Sequence, residues 1–208
     1  RLSYLQPAEI RSTLIESILK TPKVVPYFDI SFQHAHPDVL RRMKRFGSTK
    51  EFLNLIENIR KINPEAGIRS NFIVGFPGET QEEFEEIKLF LEQAQLDAIG
   101  IFGYSKEDGT EAIDFKNQID EQAIKERVSE LTEIAEDLMS QKAHSRIGSS
   151  SQLLVESIDE DEVTGRIQQQ GPETDGISNI NDKNIKLGDI LEVEIVGSNG
   201  ADLEVKRK

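Results

Sequence analysis

Ile68-Arg-Ser-Asn-Phe-Ile-Val-Gly-Phe-Pro-Gly-Glu-Thr80 combines an apolar strand, a glycine-rich turn and the start of a helix. Thr80 and Glu83 have the spacing of a capping box, and apolar residues recur after them at helical spacing. A second apolar run, Ala98-Ile-Gly-Ile-Phe-Gly-Tyr104, follows that helix. Two strands joined by a helix predict a parallel pair with a right-handed crossover. The sequence therefore predicts an α/β fold.

The same alternation extends on both sides of this unit. Tyr27-Phe-Asp-Ile-Ser-Phe-Gln33 is an aromatic and β-branched run that predicts a further buried strand. Asp120 precedes a long segment with helical spacing, so we expect it to cap the last helix. The remaining expected elements are a strand tail over 1–5, a helix opening at 6–9, a short basic helix from His36-Pro37 and a helix with a capping box at Ser48 and Glu51.

The character of the sequence changes near residue 146. Gly148-Ser-Ser-Ser151 resembles a linker, and no helical period follows it. Five short apolar runs separated by turn-forming residues then predict a small antiparallel β-barrel. We therefore expect two domains, over 1–145 and 146–208. The five runs are 153–155, 163–167, 177–180, 190–196 and 203–205.

The composition limits the class of protein. The chain has 208 residues, no cysteine and a formal net charge of −13. Without cysteine it can form no disulfide, no thiolate zinc site and no iron–sulfur cluster on its own thiolates. No apolar run approaches the roughly 20 residues of a membrane span, and no signal peptide precedes the first helix. A cytoplasmic location is therefore expected, and the acidic balance favours a basic partner or a small substrate.

Three loops follow the expected strands at the carboxyl edge of the sheet, where parallel α/β folds bind their ligands. They are Gln33-His-Ala-His36, Gly75-Phe-Pro-Gly-Glu-Thr80 and Tyr104-Ser-Lys-Glu-Asp-Gly-Thr110. Gly75 and Gly78 would let the backbone approach a ligand closely, and the helix start would offer free amides to an anionic group. The alternative interpretation of this loop is a tight turn with a good helix cap.

Two polar clusters leave alternatives open. His34 and His36 straddle one residue and could bind a metal, with a third ligand from Asp29 or Asp38. Hydrogen bonding to a ligand, or packing, explains the two histidines as well, so no metal site is assigned. The basic residues of 41–45 could contact an anionic cofactor group or form a solvated helix face. From this chemistry no catalytic residue is assigned.

Several segments together are specific in their order and spacing. They are Tyr27-Phe-Asp-Ile-Ser-Phe-Gln-His34, Leu40-Arg-Arg-Met-Lys-Arg-Phe46, Ile73-Val-Gly-Phe-Pro-Gly-Glu-Thr80 and the run from Phe102 to Ala112. In that order they resemble the radical S-adenosylmethionine methylthiotransferases. The tail, with Gly165-Arg166, the run from Gly171 to Gly176 and Gly188-Asp-Ile-Leu-Glu-Val193, resembles the TRAM β-barrel that ends those enzymes. Gln33-His34 and the loop after Gly103 are similar to the branch that modifies an aspartate of ribosomal protein S12.

The resemblance implies a partial parallel (β/α) barrel that binds S-adenosyl-L-methionine, followed by an OB-like TRAM barrel. It also implies two [4Fe–4S] clusters in the intact enzyme. One would cleave the cofactor to a radical that abstracts hydrogen from the aspartate β-carbon, and the other would support delivery of the methylthio group. The family's cluster cysteines are absent from this chain and are expected upstream of Arg1. The chain by itself is therefore expected to be inactive.

The resemblance also implies a set of cofactor-binding residues. Gln33 and His34 would lie near the ribose or the substrate. Ile73 and the turn that follows it would pack on the adenine, and residues 102–105 would present their backbone to the adenine edge. The full set is Gln33, His34, Ile73, Gly75, Gly78, Glu79, Phe102, Tyr104 and Ser105.

Charge bears on the partner of the expected second domain. Residues 141–208 carry 8 basic and 13 acidic side chains, whereas a tail that grips RNA should be basic. An acidic tail suits a strongly basic protein, so we expect ribosomal protein S12 or the small ribosomal subunit as partner, and not nucleic acid. The alternatives are a tRNA methylthiotransferase of the same fold and a non-enzymatic binding module without clusters. The acidic residues of this interpretation are Glu156, Asp159, Glu160, Asp161, Glu162, Glu173 and Asp175.

Overall fold

A four-stranded parallel sheet forms the first part of the protein. The computed structural model describes residues 1–159, 162–172, 175–182 and 184–208. The strand order in the sheet, β1-β2-β3-β4, is also the order along the chain. The strands are β1 (Leu2–Leu5), β2 (Tyr27–Ile30), β3 (Gly67–Val74) and β4 (Ala98–Gly103). All three neighbouring pairs are parallel, so the predicted α/β fold is confirmed.

Helices connect these strands. They are α1 (Ser12–Lys20), α2 (Pro37–Arg42), α3 (Thr49–Ile62), α4 (Gln81–Ala94) and α5 (Glu121–Ser145), with 3₁₀ turns at Pro7–Glu9 and Glu111–Asp114. Within the described part of the chain, no helix is long and apolar enough to cross a membrane.

The helix starts follow the capping signals of the sequence. Thr80 and Glu83 form the reciprocal capping box that their spacing predicts, and the Asp120 carboxylate accepts the Gln122 amide at the start of α5. At α3 the prediction holds in part. Ser48 Oγ accepts the Glu51 amide at 3.3 Å, but the Glu51 carboxylate contacts the Ser48 hydroxyl rather than its amide.

Two elements differ from their predicted bounds. The helix predicted to open at residues 6–9 is only a 3₁₀ turn there, because Ile10 is extended and interrupts the helical conformation before α1 begins at Ser12. The strand predicted over 27–33 ends at Ile30. Gln33 has a φ of 68°, a left-handed conformation that a regular strand does not accommodate.

A cluster of phenylalanines fills the space between the sheet and its helices. Phe32, Phe52, Phe72 and Phe90 are each at most 2% exposed, and their ring centroids lie 4.5–6.5 Å apart. Tilted and edge-to-face pairs at such distances add to the stabilisation from burial. The rings come from the loop after β2, from β3, and from α3 and α4. They therefore hold the sheet and its helices together.

The second part of the protein is a closed five-stranded barrel with the order β5-β6-β7-β9-β8. Its neighbouring strands pair antiparallel, except that β7 and β9 pair parallel. Because β8 lies between these two strands in the chain, no hairpin dictates their relative direction. The strands are β5 (Ser150–Asp159), β6 (Glu162–Arg166), β7 (Ser178–Ile180), β8 (Ile190–Asn199) and β9 (Asp202–Arg207).

The barrel lies against the amino-terminal edge of the sheet. Asp175 of the barrel accepts hydrogen bonds from the Tyr27 hydroxyl and from the Gly171 amide. Arg69 Nε lies 3.1 Å from the same carboxylate. Burial raises the pKa of Tyr27, and the Asp175 carboxylate raises it further, so the hydroxyl remains a donor. Tyr27 begins β2 and Arg69 lies near the start of β3, so these contacts hold the barrel at the amino ends of the strands.

The two-domain division at 145/146 stays a prediction, although the ends of the elements agree with it: α5 ends at Ser145 and β5 begins at Ser150. The acidic residues expected on the tail are only partly at its surface. Asp175 is 4% exposed, whereas Glu156 is exposed and pairs with Arg166. Asp159 and Glu162 are exposed, whereas Glu160, Asp161 and Glu173 lie outside the described residues.

Replacing Phe32 by alanine is expected to lower the free energy of unfolding by about 3–5 kcal/mol, because the change leaves a cavity among four buried rings. The matched control is Phe46→Ala, since the Phe46 ring is 83% exposed and its loss should change stability by less than about 0.5 kcal/mol. Urea unfolding measures both. Equal losses in the two variants would mean that the ring cluster is not the core.

Candidate functional site

A cavity of about 610 Å³ opens at the carboxyl edge of the sheet. Its volume lies within the range of roughly 300–1,000 Å³ that small-molecule sites occupy. The structure brings five of the nine sequence-predicted residues together in its lining. These five are Gln33, Ile73, Phe102, Tyr104 and Ser105.

The backbone of Gln33 is fixed beside the cavity in a left-handed conformation, which is uncommon outside glycine. Its amide donates to the Asn71 carbonyl at 3.0 Å, and its carbonyl accepts the Ile73 amide at 2.8 Å. These two bonds attach Gln33 to the edge of β3 as an isolated bridge. A rare backbone conformation that its neighbours hold in place is a common feature of functional sites.

His34 and Glu79 lie behind the cavity wall rather than in its lining. Both side chains are 0% exposed, and His34 Nε2 lies 3.3 Å from Glu79 Oε2 without hydrogen-bond alignment. The Glu79 carboxylate accepts the Gly75 amide at 3.0 Å and a bond from Arg127 Nη1 at 2.5 Å. Glu79 therefore ties the loop after β3 to α5.

His34 is neutral in this environment. Burial lowers the pKa of the His34 imidazole, and the neighbouring Glu79 carboxylate opposes that shift only in part. His34 Nδ1 accepts the His36 amide at 3.0 Å, so the single proton of the neutral ring belongs on Nε2, which faces Glu79.

Gly75 and Gly78, in the loop after β3, have different structural roles, and neither lines the cavity. Both have a φ of +78°, which favours glycine. A Cβ on Gly75 would lie 2.5 Å from Ile124 Cγ1 of α5, so the missing side chain makes room for the helix. A Cβ on Gly78 would meet nothing closer than 3.8 Å, and only the backbone conformation favours glycine there.

The basic residues of 41–45 are each engaged within the chain. Arg42 binds both oxygens of Glu83 through its terminal nitrogens, at 3.1 and 2.7 Å. Lys44 lies 2.7 Å from Glu111 across the cavity mouth, and both residues line the cavity. The other two contacts are Arg41 with Asp38, and Arg45 with Gln6 and the Ser31 carbonyl. Arg42, Lys44 and Arg45 therefore line the cavity, whereas Arg41 lies outside it with a largely exposed side chain.

The potential metal ligands that lie together in the structure are not the set of residues that the sequence suggested. Ligand atoms of His36, Asp38 and Glu83 lie within 4.8 Å of one another, whereas His34 points towards Glu79. His36 Nδ1 already accepts the Asp38 amide at 3.2 Å, and Glu83 already binds Arg42. Because these contacts occupy the potential ligand atoms, the group carries no metal assignment.

Three polar atoms in the cavity lining are buried and lack a hydrogen-bond partner in the described part of the chain: Asn71 Oδ1, Tyr104 OH and Arg42 Nε. Burial raises the pKa of Tyr104, as does Glu107, so its hydroxyl stays protonated. Sequence reasoning missed Asn71 because the run around it reads as an apolar strand. The available signal was its position two residues before Ile73, which places both side chains on one face.

Comparisons with known proteins agree with this architecture. The model of the radical SAM superfamily matches residues 7–91, and that of the TRAM domain matches residues 147–207. The coproporphyrinogen III oxidase HemN from Escherichia coli, a radical SAM enzyme of known structure, has 18% sequence identity and a TM-score of 0.53. The match covers 69% of this chain and 32% of that one, and it shows the fold alone.

Relatives with curated names are much more similar in sequence. The ribosomal protein uS12 methylthiotransferase RimO of Saccharopolyspora erythraea is 52% identical over 207 residues, which are 99% of this chain and 43% of that protein. RimO of Streptomyces avermitilis is 50% identical over 205 residues, which are 98% of this chain and 41% of that protein. This chain therefore spans less than half the length of the curated relatives it matches.

The fold and its cavity define a radical SAM domain followed by a TRAM barrel. With about half of its residues identical to those relatives along nearly its whole length, the chain belongs to the radical SAM methylthiotransferase family.

Gly75→Ala is expected to destabilise the protein by about 1–3 kcal/mol, because the added methyl group overpacks Ile124 in an already unfavourable backbone conformation. In the double variant Gly75→Ala/Ile124→Ala the clash is absent. The stability losses of the two single variants should therefore add up to more than the stability loss of the double variant. Gly200→Ala, at a φ of +58° with nothing within 4 Å, measures the backbone effect alone. Strict additivity in urea unfolding would refute the packing role of Gly75.

Replacing His34 by glutamine is expected to flatten the acid side of the stability profile. Below the ordinary imidazole pKa of about 6.5, His34 binds a proton in the unfolded chain. In the folded chain it stays neutral because burial lowers its pKa. The free energy of unfolding therefore falls as the pH decreases from about 6.5 towards the lowered pKa. Unfolding free energies on either side of this window measure the slope. His144→Gln, on an exposed position of α5, should keep the wild-type slope. An unchanged slope in His34→Gln would exclude His34 as its source.

Proposed function

We propose that this chain supplies the S-adenosyl-L-methionine-binding and substrate-facing part of a methylthiotransferase that modifies an aspartate of ribosomal protein uS12. The observation that carries the proposal is the cavity at the carboxyl edge of the sheet, which is lined by residues of β3 and β4, by Gln33 and by the segments 42–45 and 104–115. The names of its relatives supply the substrate.

The cavity has the chemistry that S-adenosyl-L-methionine requires. Ile73, Phe76 and Phe102 give apolar surface for a flat ring. Asn71 Oδ1 and the Tyr104 hydroxyl, which bond no other group of the described residues, would bond polar groups of the cofactor, and Arg42 Nε would donate to its carboxylate. When bound, S-adenosyl-L-methionine supplies the group that radical SAM chemistry uses to abstract hydrogen. The residues of this chain would orient it and exclude water.

Iron–sulfur clusters do not fit this chain, because a [4Fe–4S] cluster is held by cysteine thiolates and the sequence has no cysteine. The ligands of both implied clusters would come from outside these 208 residues. The chain by itself is therefore expected to bind cofactor and substrate without turnover.

The place of the barrel constrains how a protein substrate would be held. The barrel contacts Tyr27 and Arg69 at the amino edge, whereas the cavity lies at the carboxyl edge, and the eight residues of β3 span about 25 Å. A uS12 segment bound by the barrel would have to reach along the sheet to the cavity. Glu107 and Glu111 line the cavity beside Arg42, Lys44 and Arg45. The preference for a basic protein over a polyanion therefore rests on the net charge of −13 of the whole chain. A ribosomal substrate also implies a cytoplasmic location.

A tRNA methylthiotransferase of the same fold is the second candidate. The observation in its favour is the run of basic residues that ends the chain, Lys206-Arg-Lys208. Two of these side chains face acidic partners, however: Lys206 lies 3.4 Å from Glu194 and Arg207 lies 3.7 Å from Asp182. Such pairing weakens a phosphate-binding patch, so uS12 is the preferred substrate.

Binding of purified uS12 and of tRNA to this chain, measured by fluorescence anisotropy at the same moderate salt concentration, distinguishes the two candidates. We expect tighter binding of uS12, because the net charge of the chain is −13. As a control, Glu107→Gln/Glu111→Gln should weaken binding of uS12 without creating tRNA binding. Tighter binding of tRNA would contradict the choice of substrate.

A further inference from the structure

A second cavity, of about 390 Å³, lies beside the first, between the segment that follows β4 and the start of α5. Its lining comes from residues 104–106, from Ile119 and from the first two turns of the helix. Tyr104 and Ser105 line both cavities, so these two residues form the boundary between them. A group held in the second cavity would therefore lie next to the site that we propose for the cofactor.

The second cavity is positively charged, although the whole chain is acidic. Lys106 and Lys125 line it, and Glu121 is the only acidic residue that the structure describes in its lining. Among the described residues, neither lysine ammonium group forms an ion pair or a hydrogen bond. The cavity also borders the start of α5, where the helix dipole adds partial positive charge. These features favour an anionic ligand group.

Tyr104 adds an unpaired hydrogen-bond donor at the boundary. Its hydroxyl is buried and has no partner among the described residues. Burial raises the pKa of Tyr104, and Glu107 raises it further, so the hydroxyl keeps its proton. A phenolic hydroxyl donates one hydrogen bond and accepts another. It can therefore accept a bond from the cofactor and donate one to an anion in the second cavity.

The acidic neighbours of the two lysines limit how much negative charge the second cavity can bind. Glu121 lies in its lining, and the Glu107 carboxylate accepts a bond from Ser105 Oγ at 3.0 Å. Both carboxylates would repel a multiply charged phosphate. A single carboxylate matches two ammonium groups and one hydroxyl donor, so the cavity favours a carboxylate over a phosphate.

We propose that the second cavity is a subsite for the carboxylate of an acidic residue of the protein substrate. Lys106 and Lys125 are its charged partners, and the Tyr104 hydroxyl is its donor. The inference rests on the proposed function, because it takes the occupant to be the aspartate of uS12. The net charge of −13 attracts a basic protein, and the two lysines then select one acidic side chain within it.

The covalent structure of aspartate explains why this subsite suits the reaction. Its β-carbon is bonded directly to the carboxylate carbon. A carboxylate held at the boundary that Tyr104 and Ser105 form therefore brings the β-carbon next to the cofactor cavity. Positioning of this kind lowers the entropic cost of bringing two reacting groups together.

The test compares the binding of two purified forms of uS12 to this chain. One form carries the aspartate, and the other carries asparagine in its place, which keeps the shape of the side chain and removes its charge. We expect the wild-type chain to bind the aspartate form about fivefold more tightly, because ion pairs of exposed lysines contribute modestly. Lys106→Gln/Lys125→Gln should bind the two forms equally. Fluorescence anisotropy at moderate salt concentration measures these affinities.

Two further variants separate the subsite from general effects. Lys23→Gln/Lys116→Gln removes the same charge from two exposed lysines that line neither cavity, so it should keep the fivefold preference. Tyr104→Phe keeps the ring that packs edge-on against Phe76 and removes the hydroxyl, so it should reduce the preference. Thermal unfolding checks that each variant is folded.

The outcomes separate the two proposals. Failure of the wild-type chain to bind uS12 contradicts the proposed function and this inference with it. Equal affinity of the wild type for both forms overturns the inference alone, and so does an undiminished preference in Lys106→Gln/Lys125→Gln. Loss of the preference in Lys23→Gln/Lys116→Gln would assign it to overall charge, which also overturns the subsite. A preference that Tyr104→Phe leaves unchanged overturns the role of the hydroxyl.

Discussion

The buried carboxylate of Glu79 fixes the loop on which the cavity depends. It accepts the amide of Gly75, binds Arg127 of α5 and faces the neutral ring of His34. A carboxylate without solvent exposure is stable only when its oxygens are paired, so these partners must stay in place together. Ile124 of the same helix packs against Gly75 and Gly103, which follow β3 and end β4. Helix α5 therefore sets the ends of both strands that border the cavity.

The two edges of the sheet differ in how their polar groups are paired. At the amino edge the polar groups of Tyr27, Arg69 and Asp175 bind one another and hold the barrel. At the carboxyl edge Asn71 Oδ1 and the Tyr104 hydroxyl have no hydrogen-bond partner among the described residues. The paired polar groups stabilise the contact between sheet and barrel at the amino edge, whereas the proposed ligand would pair the groups left open at the carboxyl edge. The acidic barrel is thus a fixed neighbour of the sheet, at a distance from the site.

Local signals in the sequence were sufficient to predict the alternation of strands and helices. Capping residues such as Thr80 and Asp120 mark helix starts that the structure confirms, since a cap is satisfied by an amide only two or three residues away. The motif residues at strand ends, such as Ile73 and Tyr104, do meet in one cavity because parallel strands end at one edge.

The sequence did not predict the contacts between segments that lie far apart in the chain. The interpretation of Gly75 as a close approach to ligand did not foresee Ile124, which lies 49 positions later in the chain and fills that space. Glu79 and His34 matched a family motif, but their burial behind the cavity depends on α5. Asp175 was predicted to be a surface charge, whereas in the structure it bonds Tyr27 and Arg69. In each case the deciding partner comes from another element.

The most direct measurement is a map of backbone amide NMR shifts as S-adenosyl-L-methionine is added to the chain. A cofactor site at the carboxyl edge predicts that the largest shifts occur at Gln33, Ile73 and residues 103–105, which line the cavity. Amides of the barrel strands should stay unchanged, since the barrel lies at the opposite edge. Shifts confined to the barrel, or no shifts at millimolar cofactor, would contradict a cofactor site at this edge of the sheet.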